Sequence, residues 1–354
     1  MAHTPPLVCI ASSSAPSSSS SSAFFRDASI CPDGSTLLAS ADDRSLSHLS
    51  MSTPTALSKR WKYDSADSLV SYDWFPGARH DDPQMFAFTV AVKDHPVTLL
   101  DANDPARTRA SYPIIDHTER FVAPTAMKFS PDGTALYCGF ENAIEIFDVS
   151  RPGEPGFTRL KTIPNRRARS TSGQRGLIST LSFSPERTSL FGAGSFNGQI
   201  GLYDPLVHDP LVGLLNSTNR AGITKVLFHP TIPYLLFAAS RQSDHLELFD
   251  LRYLDNDNHH HHHQTTNPII NLERKARTNQ RLGFDIDPSG NWLMMGDQVE
   301  VFCFFFLLFF FWFFRSDDDW DDVDGDDRDV FGYENVFIFS SSSDLKTTTT
   351  KRSS

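Results

Sequence analysis

The chain has 354 residues, of which 39% are hydrophobic, so it is long enough for one large globular domain or two smaller ones. Its formal net charge is −11, but residues 299–354 alone contribute −7, which leaves −4 for the preceding body. A nearly balanced body excludes a uniformly basic nucleic-acid-binding chain, and it makes the positions of the charges more informative than their sum. The four cysteines show neither CxxC pairing nor metal-ligand spacing, and no secretory signal precedes them. We therefore expect reduced cysteines in an intracellular protein, with Cys31 and Cys138 in its core.

The first 23 residues form a Ser/Pro/Ala-rich segment in which Ser17 to Ser22 are uninterrupted. Such a segment cannot bury enough apolar surface to offset the entropy lost on ordering. We predict that residues 1–23 are a disordered tail.

From Phe24 onward, a short apolar strand is repeatedly followed by a proline turn and then by a strand that ends in small residues. The turn phrases are Cys31-Pro32-Asp33-Gly34, Ser130-Pro131-Asp132-Gly133, Ser184-Pro185-Glu186, His229-Pro230 and Asp287-Pro288-Ser289-Gly290. Proline presets φ, aspartate bonds to its own backbone and glycine tolerates positive φ, so each phrase predicts a tight turn between two strands. The small residues after it predict close packing between neighbouring sheets.

A second phrase, which ends in an aromatic residue and an acid, follows three of these turns. It reads Ile144-Glu145-Ile146-Phe147-Asp148, Ile200-Gly201-Leu202-Tyr203-Asp204 and Leu246-Glu247-Leu248-Phe249-Asp250. We interpret the acid as a structural turn cap. A degenerate unit fits between the first two clear turns, with strands at Leu69–Trp74, Met85–Val92 and Val97–Asp101.

Units of about 40–45 residues with four short strands each are typical of a WD40 β-propeller. We predict an all-β propeller over residues 24–298, with five blades and the opening of a sixth at Leu282–Gly296. The intact form is expected to have seven blades.

The repeat stops at residue 299, where a Phe/Leu run from Phe302 to Phe314 leads into an Asp-rich and then a Ser/Thr/Lys-rich segment. A run of 13 residues is shorter than the roughly 20 that a membrane-spanning helix needs, so we predict no membrane anchor. Phe and Leu codons are largely pyrimidine, as is the tract before an intron's end. Our hypothesis is that residues 299–354 are an aberrant tail from a gene-model or splicing error, and that an open ring with this tail has poor solubility. Transcript sequencing across the Gln298 codon tests it, and a continuous coding exon would refute it.

Basic residues concentrate in the loops that join the last strand of one blade to the first strand of the next. These loops contain Arg166, Arg167, Arg169 and Arg175, then Arg220, then Arg274, Lys275, Arg277 and Arg281, without an acid. The loops expected on the opposite side carry mainly aspartates. Guanidinium groups pair with phosphates and stack on unpaired bases, so we predict that the basic side contacts nucleic acid, against the alternative of a merely solvated charged surface.

No catalytic motif is evident: GxSxG, HExxH, a phosphate-binding loop and paired carboxylates are all missing from the sequence. His259 to His263 lie in a low-complexity insertion without oriented partners, so we interpret them as a loop insertion with at most adventitious metal affinity. We therefore expect neither an enzyme, nor a metal site, nor a cofactor. A propeller hydrolase is a weaker alternative.

Several segments resemble the telomerase Cajal body WD40 protein family, including its fungal relatives. The similar segments are 129–140, 172–185, 194–203, 222–230 and, most specifically, Thr278-Asn279-Gln280-Arg281 leading into 284–290. The resemblance covers about residues 24–298 and is absent from the tail and the His insertion.

The resemblance implies a nuclear scaffold, in the Cajal body or nucleoplasm, that binds small nuclear or Cajal body RNA together with its RNP proteins. Telomerase RNA is among the family's ligands, and yeast-like relatives act in small nuclear RNP function and splicing. We expect Arg166, Arg167, Arg169, Arg175, Arg277 and Arg281 to contribute most of the RNA contacts. The alternative is a protein–protein adaptor that uses a propeller face without contacting RNA.

Overall fold

The computed structural model describes residues 25–53, 56–154, 158–163, 173–254, 265–298 and 302–306. These residues form 24 β-strands and one 3-10 turn at Leu251–Tyr253, and no α-helix occurs among them. Within the same ranges, no helix is long and apolar enough to cross a membrane. The chain divides into two compact units, residues 1–162 and 163–354.

The described residues of unit 1 (residues 1–162) form three four-stranded antiparallel sheets, here called blades 1 to 3. Blade 1 consists of β1 (Phe25–Ile30), β2 (Thr36–Ala41), β3 (Ser45–Thr53) and β4 (Ala56–Asp64). Blade 2 consists of β5 (Leu69–Trp74), β6 (Ala87–Val92), β7 (Val97–Asp101) and β8 (Thr108–Tyr112). Blade 3 consists of β9 (Ala126–Phe129), β10 (Ala135–Phe140), β11 (Ala143–Asp148) and β12 (Thr158–Lys161). Each sheet runs in chain order, as in a propeller blade.

Within the described part of unit 2 (residues 163–354), the strands form blades 4 to 6. Blade 4 consists of β13 (Ile178–Phe183), β14 (Phe191–Ser195), β15 (Gln199–Tyr203) and β16 (Leu211–Asn216). Blade 5 consists of β17 (Ile223–Phe228), β18 (Leu235–Ser240), β19 (His245–Asp250) and β21 (Ile270–Glu273). Blade 6 consists of β22 (Phe284–Ile286), β23 (Trp292–Gly296) and β24 (Phe302–Phe306). A two-residue strand, β20 (Thr265–Thr266), adds to the outer edge of blade 4 by pairing with β16 in parallel. The all-β fold, the degenerate second unit and the five blades with part of a sixth are confirmed.

The predicted proline turns join the first and second strands of their blades. Gly34, Gly133 and Gly290 have φ values of +74°, +72° and +75°, and the N–H of each bonds to the carbonyl three residues earlier. The Asp33 carboxylate accepts a hydrogen bond from the N–H of Ser35 at 2.9 Å, and Asp132 does the same for Thr134 at 3.2 Å. These turns therefore form for the reasons that the sequence indicated.

Inner strands of successive blades are joined by side chains that bond to the neighbouring backbone. In unit 1 the Asp73 carboxylate accepts a hydrogen bond from the N–H of Phe129 at 3.1 Å. In unit 2 the hydroxyls of Thr180 and Ser182 accept from the N–H groups of Val226 (3.2 Å) and Phe228 (3.1 Å). These bonds satisfy backbone donors that no strand ladder reaches, and so they fix the offset between neighbouring blades.

Small residues on the second strands permit the close approach of blades. A Cβ built on Gly194 of β14 would lie 2.6 Å from side-chain atoms of both Thr180 and Ile223. Blade 5 packs directly against this position, since Ile223 belongs to β17. The prediction that small residues mark close packing between blades is confirmed here.

The aromatic-acid phrases end the third strands, and their acids are structural. Asp148 and Asp204 each accept a hydrogen bond from the N–H two residues later, at 2.9 and 3.1 Å. Asp250 is 1% exposed, caps the 3-10 turn through the N–H of Arg252 and forms an ion pair with the Arg252 guanidinium at 2.7 Å. On the side predicted to be acidic, part of the negative charge is therefore used in hydrogen bonds and an ion pair within the turns themselves.

Both cysteines assigned to the core, Cys31 and Cys138, are buried and unpaired. Five residues of the segment predicted to be aberrant, Phe302–Phe306, pair with β23 as β24. The predicted tail at residues 1–23, the His259–His263 insertion and residues 307–354 lie outside the described residues.

Candidate nucleic-acid interface

Antiparallel order places two kinds of connection at the same end of each blade: the loop that enters the first strand and the turn between the second and third strands. In unit 2 this end carries those predicted cations that the structure describes, and we call it the basic end; they are Arg175, Arg220, Arg274, Lys275, Arg277 and Arg281. Its described segments are 173–177, 196–198, 217–222, 241–244, 274–283 and 297–298.

The loop that enters blade 4 is fixed at its C-terminal side by Gln174. The side chain is fully buried, donates hydrogen bonds to the carbonyls of Ala193 (2.6 Å) and Gln199 (3.0 Å), and accepts one from the Tyr203 hydroxyl at 3.0 Å. Arg175 is exposed, and its N–H bonds to the Gln199 side chain at 3.2 Å. The predicted contacts Arg166, Arg167 and Arg169 lie outside the described residues.

The loop that enters blade 5 presents Arg220 from a strained position. Arg220 is exposed and has φ +52°, a left-handed conformation that non-glycine residues rarely adopt. The loop is fixed to the adjacent turn, because the N–H of Ser217 bonds to the carbonyl of Gly198 at 3.0 Å. On its other side, the buried carboxylate of Glu247 accepts a hydrogen bond from the N–H of Thr218 at 2.7 Å.

The loop that enters blade 6 contains four of the predicted cations, which differ in their surroundings. Lys275 and Arg281 are exposed, and Arg277 is exposed while it pairs with Asp244. Arg274 is only 4% exposed, its guanidinium bonds to the carbonyl of Leu282 at 3.4 Å, and burial lowers its pKa. Arg274 therefore lies under the surface and supports the loop instead of facing a ligand.

A half-buried aromatic ring at the basic end lies near two guanidinium groups. The guanidinium carbon of Arg241 lies 4.2 Å from the ring centroid of Phe196, and that of Arg281 lies 5.5 Å from it. Both distances are within the range of cation–π attraction. Phe196 lies in the turn between β14 and β15, and Arg241 follows β18, so the cluster joins blades 4, 5 and 6.

Phe196 and Arg241 were not among the predicted contacts. The available signal was a large aromatic residue immediately before an Asn-Gly turn, where polar residues are usual. For Arg241 the signal was its place after the small residues Ala238-Ala239-Ser240.

The described segments of the basic end are strongly cationic. Arg175, Arg220, Arg241, Lys275, Arg277 and Arg281 have exposed or half-buried side chains. The acids there are Asp244, Asp297 and, at the end of β21, Glu273. The structure thus brings Arg277 and Arg281 together with Arg241 on connected loops, whereas Arg175 and Arg220 flank the turn that bears Phe196. Among the described residues, no group of three or more His, Cys, Asp or Glu side chains could hold a metal ion.

No protein-family model matches the chain. Telomerase Cajal body protein 1 of Mus musculus is 30% identical over 285 residues, which cover 77% of this chain and 49% of the mouse protein. The guanine nucleotide-binding protein negative regulator 1 of Schizosaccharomyces pombe is 28% identical over 287 residues, covering 77% of this chain and 68% of the yeast protein. The Drosophila melanogaster homologue of telomerase Cajal body protein 1 is 26% identical over 229 residues, covering 63% of this chain and 37% of the fly protein. The chain spans about half the length of the mammalian relatives it matches.

Proposed function

Because the chain is a homologue of the telomerase Cajal body proteins, we propose that it is a non-enzymatic WD40 scaffold whose basic end binds a small nuclear or Cajal body RNA. In this role it supports the localisation or assembly of the RNP in the nucleus, in the Cajal body or nucleoplasm, with telomerase RNA as one candidate ligand. Its further partners are the proteins of that RNP, which contact the blade faces. The relatives' names motivate the nuclear setting, and the fold supplies rigid blades that hold loops in fixed positions.

The concentration of guanidinium groups on the connected loops of unit 2 is the observation that carries the proposal. Arginine forks pair with phosphate oxygens in two-point contacts, and their planes stack on unpaired bases. Loops anchored by Gln174, Glu247 and Asp244 present these groups with less entropy to lose on binding than free loops would have. Single-stranded loops are the RNA elements that proteins read in this way.

RNA binding is measured most directly through its dependence on salt. The full chain is titrated against a fluorescein-labelled RNA hairpin at several salt concentrations. Replacing Arg175 with Gln and Arg220 with Asn should weaken binding and reduce the slope of log K against log salt by roughly 0.7 for each phosphate that the variant no longer neutralises. Asparagine suits the left-handed backbone at Arg220, so this variant removes charge without adding strain.

The same assay applies to three predicted contacts that lie outside the described ranges, Arg166, Arg167 and Arg169. Replacing these three residues with Ala should also weaken RNA binding and reduce its salt slope. The matched control is Arg187→Gln, because Arg187 is exposed on the connection between β13 and β14, at the opposite end of blade 4. An unchanged slope in the basic-end variants, or an equal change in the control, would reject the RNA-binding surface.

A protein–protein adaptor is the second candidate. Leu206 is 83% exposed and Tyr253 is 62% exposed, and both lie on connections at the end of unit 2 opposite the basic end. Exposed apolar side chains of this size are common at protein interfaces. The adaptor predicts no salt-dependent RNA binding, and loss of a protein partner when both residues are replaced with Ser.

A further inference from the structure

Phe196 and its two guanidinium neighbours have the composition of a stacking platform. The Arg241 guanidinium carbon lies 4.2 Å from the ring centroid, and its buried Nε–H has no hydrogen-bond partner within the described ranges. Among the described residues, no carboxylate lies within ion-pair distance of Arg241. The ring is therefore the principal partner of this cation, which leaves its charge without a neutralising acid.

The platform is held by backbone contacts from both sides. The N–H of Phe196 bonds to the carbonyl of Leu177 at 3.0 Å, and the N–H of Arg241 bonds to the carbonyl of Gly222 at 2.9 Å. A Cβ on Gly222 would lie 3.0 Å from the carbonyl oxygen of Phe196, so the loop that enters blade 5 passes directly against the ring's own backbone. These contacts place the ring and the guanidinium before any ligand binds.

Amide groups lie on the same two segments as the arginines. The Gln242 side chain follows Arg241 and donates a hydrogen bond to Asn279, two residues before Arg281, at 3.0 Å. Both residues are exposed, so the Gln242 carbonyl and the Asn279 amino group keep hydrogen-bonding capacity toward solvent. A donor and an acceptor side by side suit the polar edge of a nucleobase.

We propose that Phe196, Arg241 and Arg281 form a stacking platform for one unpaired base of a single-stranded RNA, with the guanidinium charges also facing its phosphate. This inference rests on the proposed function, because it names what the basic end recognises. The platform adds a requirement to the proposed function: phosphate contacts alone would bind RNA without any base, whereas the platform needs an unpaired base. Aromatic stacking tolerates every base, since each has a π-face, so the platform selects unpaired RNA over duplex RNA and not one sequence over another.

The test separates the base from the backbone. The full chain is titrated with a fluorescein-labelled oligouridylate and with the matching abasic ribose-phosphate oligomer. Leucine keeps the apolar volume of Phe196 without its π-face, so Phe196→Leu should weaken oligouridylate binding about tenfold, within the range for loss of one stacked base, and leave the abasic oligomer unchanged. Phe196→Trp should restore or strengthen oligouridylate binding, because tryptophan stacks at least as well.

The outcomes are distinguishable. An equal loss of affinity for both oligomers would assign Phe196 a purely structural role, and an unchanged affinity for both would remove it from the interface; either result overturns the platform. If the wild-type chain binds both oligomers equally and with a salt slope, the platform is wrong and the RNA-binding function stands. If it binds neither oligomer but binds the RNA hairpin with a salt slope, the platform is wrong and the RNA-binding function stands; if it binds neither oligomer nor the hairpin, both proposals fail.

Discussion

Asp244, which immediately precedes β19, forms an ion pair with Arg277 of the loop that enters blade 6. The same carboxylate accepts a hydrogen bond from the N–H of Ala276 at 3.3 Å, and the carbonyl of Asp244 accepts one from the N–H of Arg274 at 2.7 Å. Burial of the carboxyl raises its pKa, but the hydrogen bonds from Arg277 and Ala276 outweigh burial and lower it overall. One acid thus fixes the loop that contains Lys275, Arg277 and Arg281.

Asp244→Ala should loosen this loop. The N–H of Ala276 loses its acceptor and Arg277 loses its partner, so backbone amides of residues 274–278 should exchange faster with solvent while those of β18 and β19 keep their protection. Hydrogen exchange followed by mass spectrometry measures this. Asp209→Ala, an exposed acid at the opposite end of blade 4, is the control and should leave the loop unchanged. Unaltered exchange in Asp244→Ala would show that the loop is held by other contacts.

Gly198→Ala should destabilise the chain more than its backbone angle alone explains. Gly198 has φ +77°, and a Cβ there would lie 2.6 Å from the backbone carbonyl carbon of Arg220. Gly153 has φ +84°, and a Cβ there would meet no atom of the described residues within 4 Å beyond its chain neighbours, so Gly153→Ala isolates the cost of the angle, about 1–2 kcal/mol. Urea unfolding should give a larger loss of stability for Gly198→Ala, with weaker RNA binding as Arg220 moves. Equal losses would mean that the two segments do not touch in a fixed arrangement.

His48 in β3 makes the stability of the chain depend on pH. It is fully buried, and its ring lies 4.9 Å from Trp61 and 5.8 Å from Phe86 between centroids. Neither ring nitrogen has a hydrogen-bond partner in the part of the chain that the structure describes. Burial, with smaller contributions from the charges of Arg60 and His80, lowers its pKa from 6.5 to about 4. The folded chain therefore holds this histidine neutral, whereas the unfolded chain protonates it below pH 6.5.

Because the unfolded chain binds this proton at a higher pH than the folded chain, the stabilisation by neutral His48 is fully present above pH 6.5 and is lost as pH falls toward 4. The resulting loss in the free energy of unfolding is roughly 3 kcal/mol once the pH has fallen through this range. His48→Leu removes the titrating group, so the free energy of unfolding should fall less between pH 7 and pH 4 than in the wild type. His95→Gln, at an exposed histidine, should follow the wild type. Parallel pH profiles for all three proteins would show that His48 does not titrate on unfolding.

Asp73 stabilises the packing of blade 2 against blade 3. Its carboxylate is nearly buried, accepts a hydrogen bond from the N–H of Phe129 at 3.1 Å and pairs with the Lys128 ammonium at 2.8 Å. Asp73→Ala should cost about 2–3 kcal/mol, because it leaves a buried N–H without an acceptor. Asp73→Asn keeps an acceptor oxygen and should cost less. Chemical unfolding distinguishes them, and equal losses of stability would mean that the acceptor geometry is immaterial.

The blades could be predicted because each strand and turn depends on nearby residues. The bounds predicted for Leu69–Trp74 and Val97–Asp101 match the observed strands, and the Pro-Asp-Gly phrases specify their turns through φ preferences that act within four residues. The caps formed by Asp148 and Asp204 are equally local. Local chemistry of this kind is readable in a sequence without knowledge of the tertiary fold.

The candidate site was predicted only in part, because its members are joined through space. Loop composition predicts Arg277 and Arg281 as contacts, but the burial of Arg274 depends on packing between loops that the sequence does not display. The cation–π pair of Phe196 and Arg241 joins turns of two different blades. The sequence shows that Phe196 is an unusual aromatic residue in a turn, but only the packing of neighbouring blades shows that Arg241 is its partner.

Ultraviolet crosslinking of the full chain to a labelled small nuclear RNA, with mass spectrometry of the crosslinked peptides, tests the central claim most directly. RNA bound at the basic end should crosslink to peptides that contain Phe196 and the segments 173–177, 217–222 and 274–283. Crosslinks that fall instead on the connections at the opposite end of unit 2, around Leu206 and Tyr253, would contradict it.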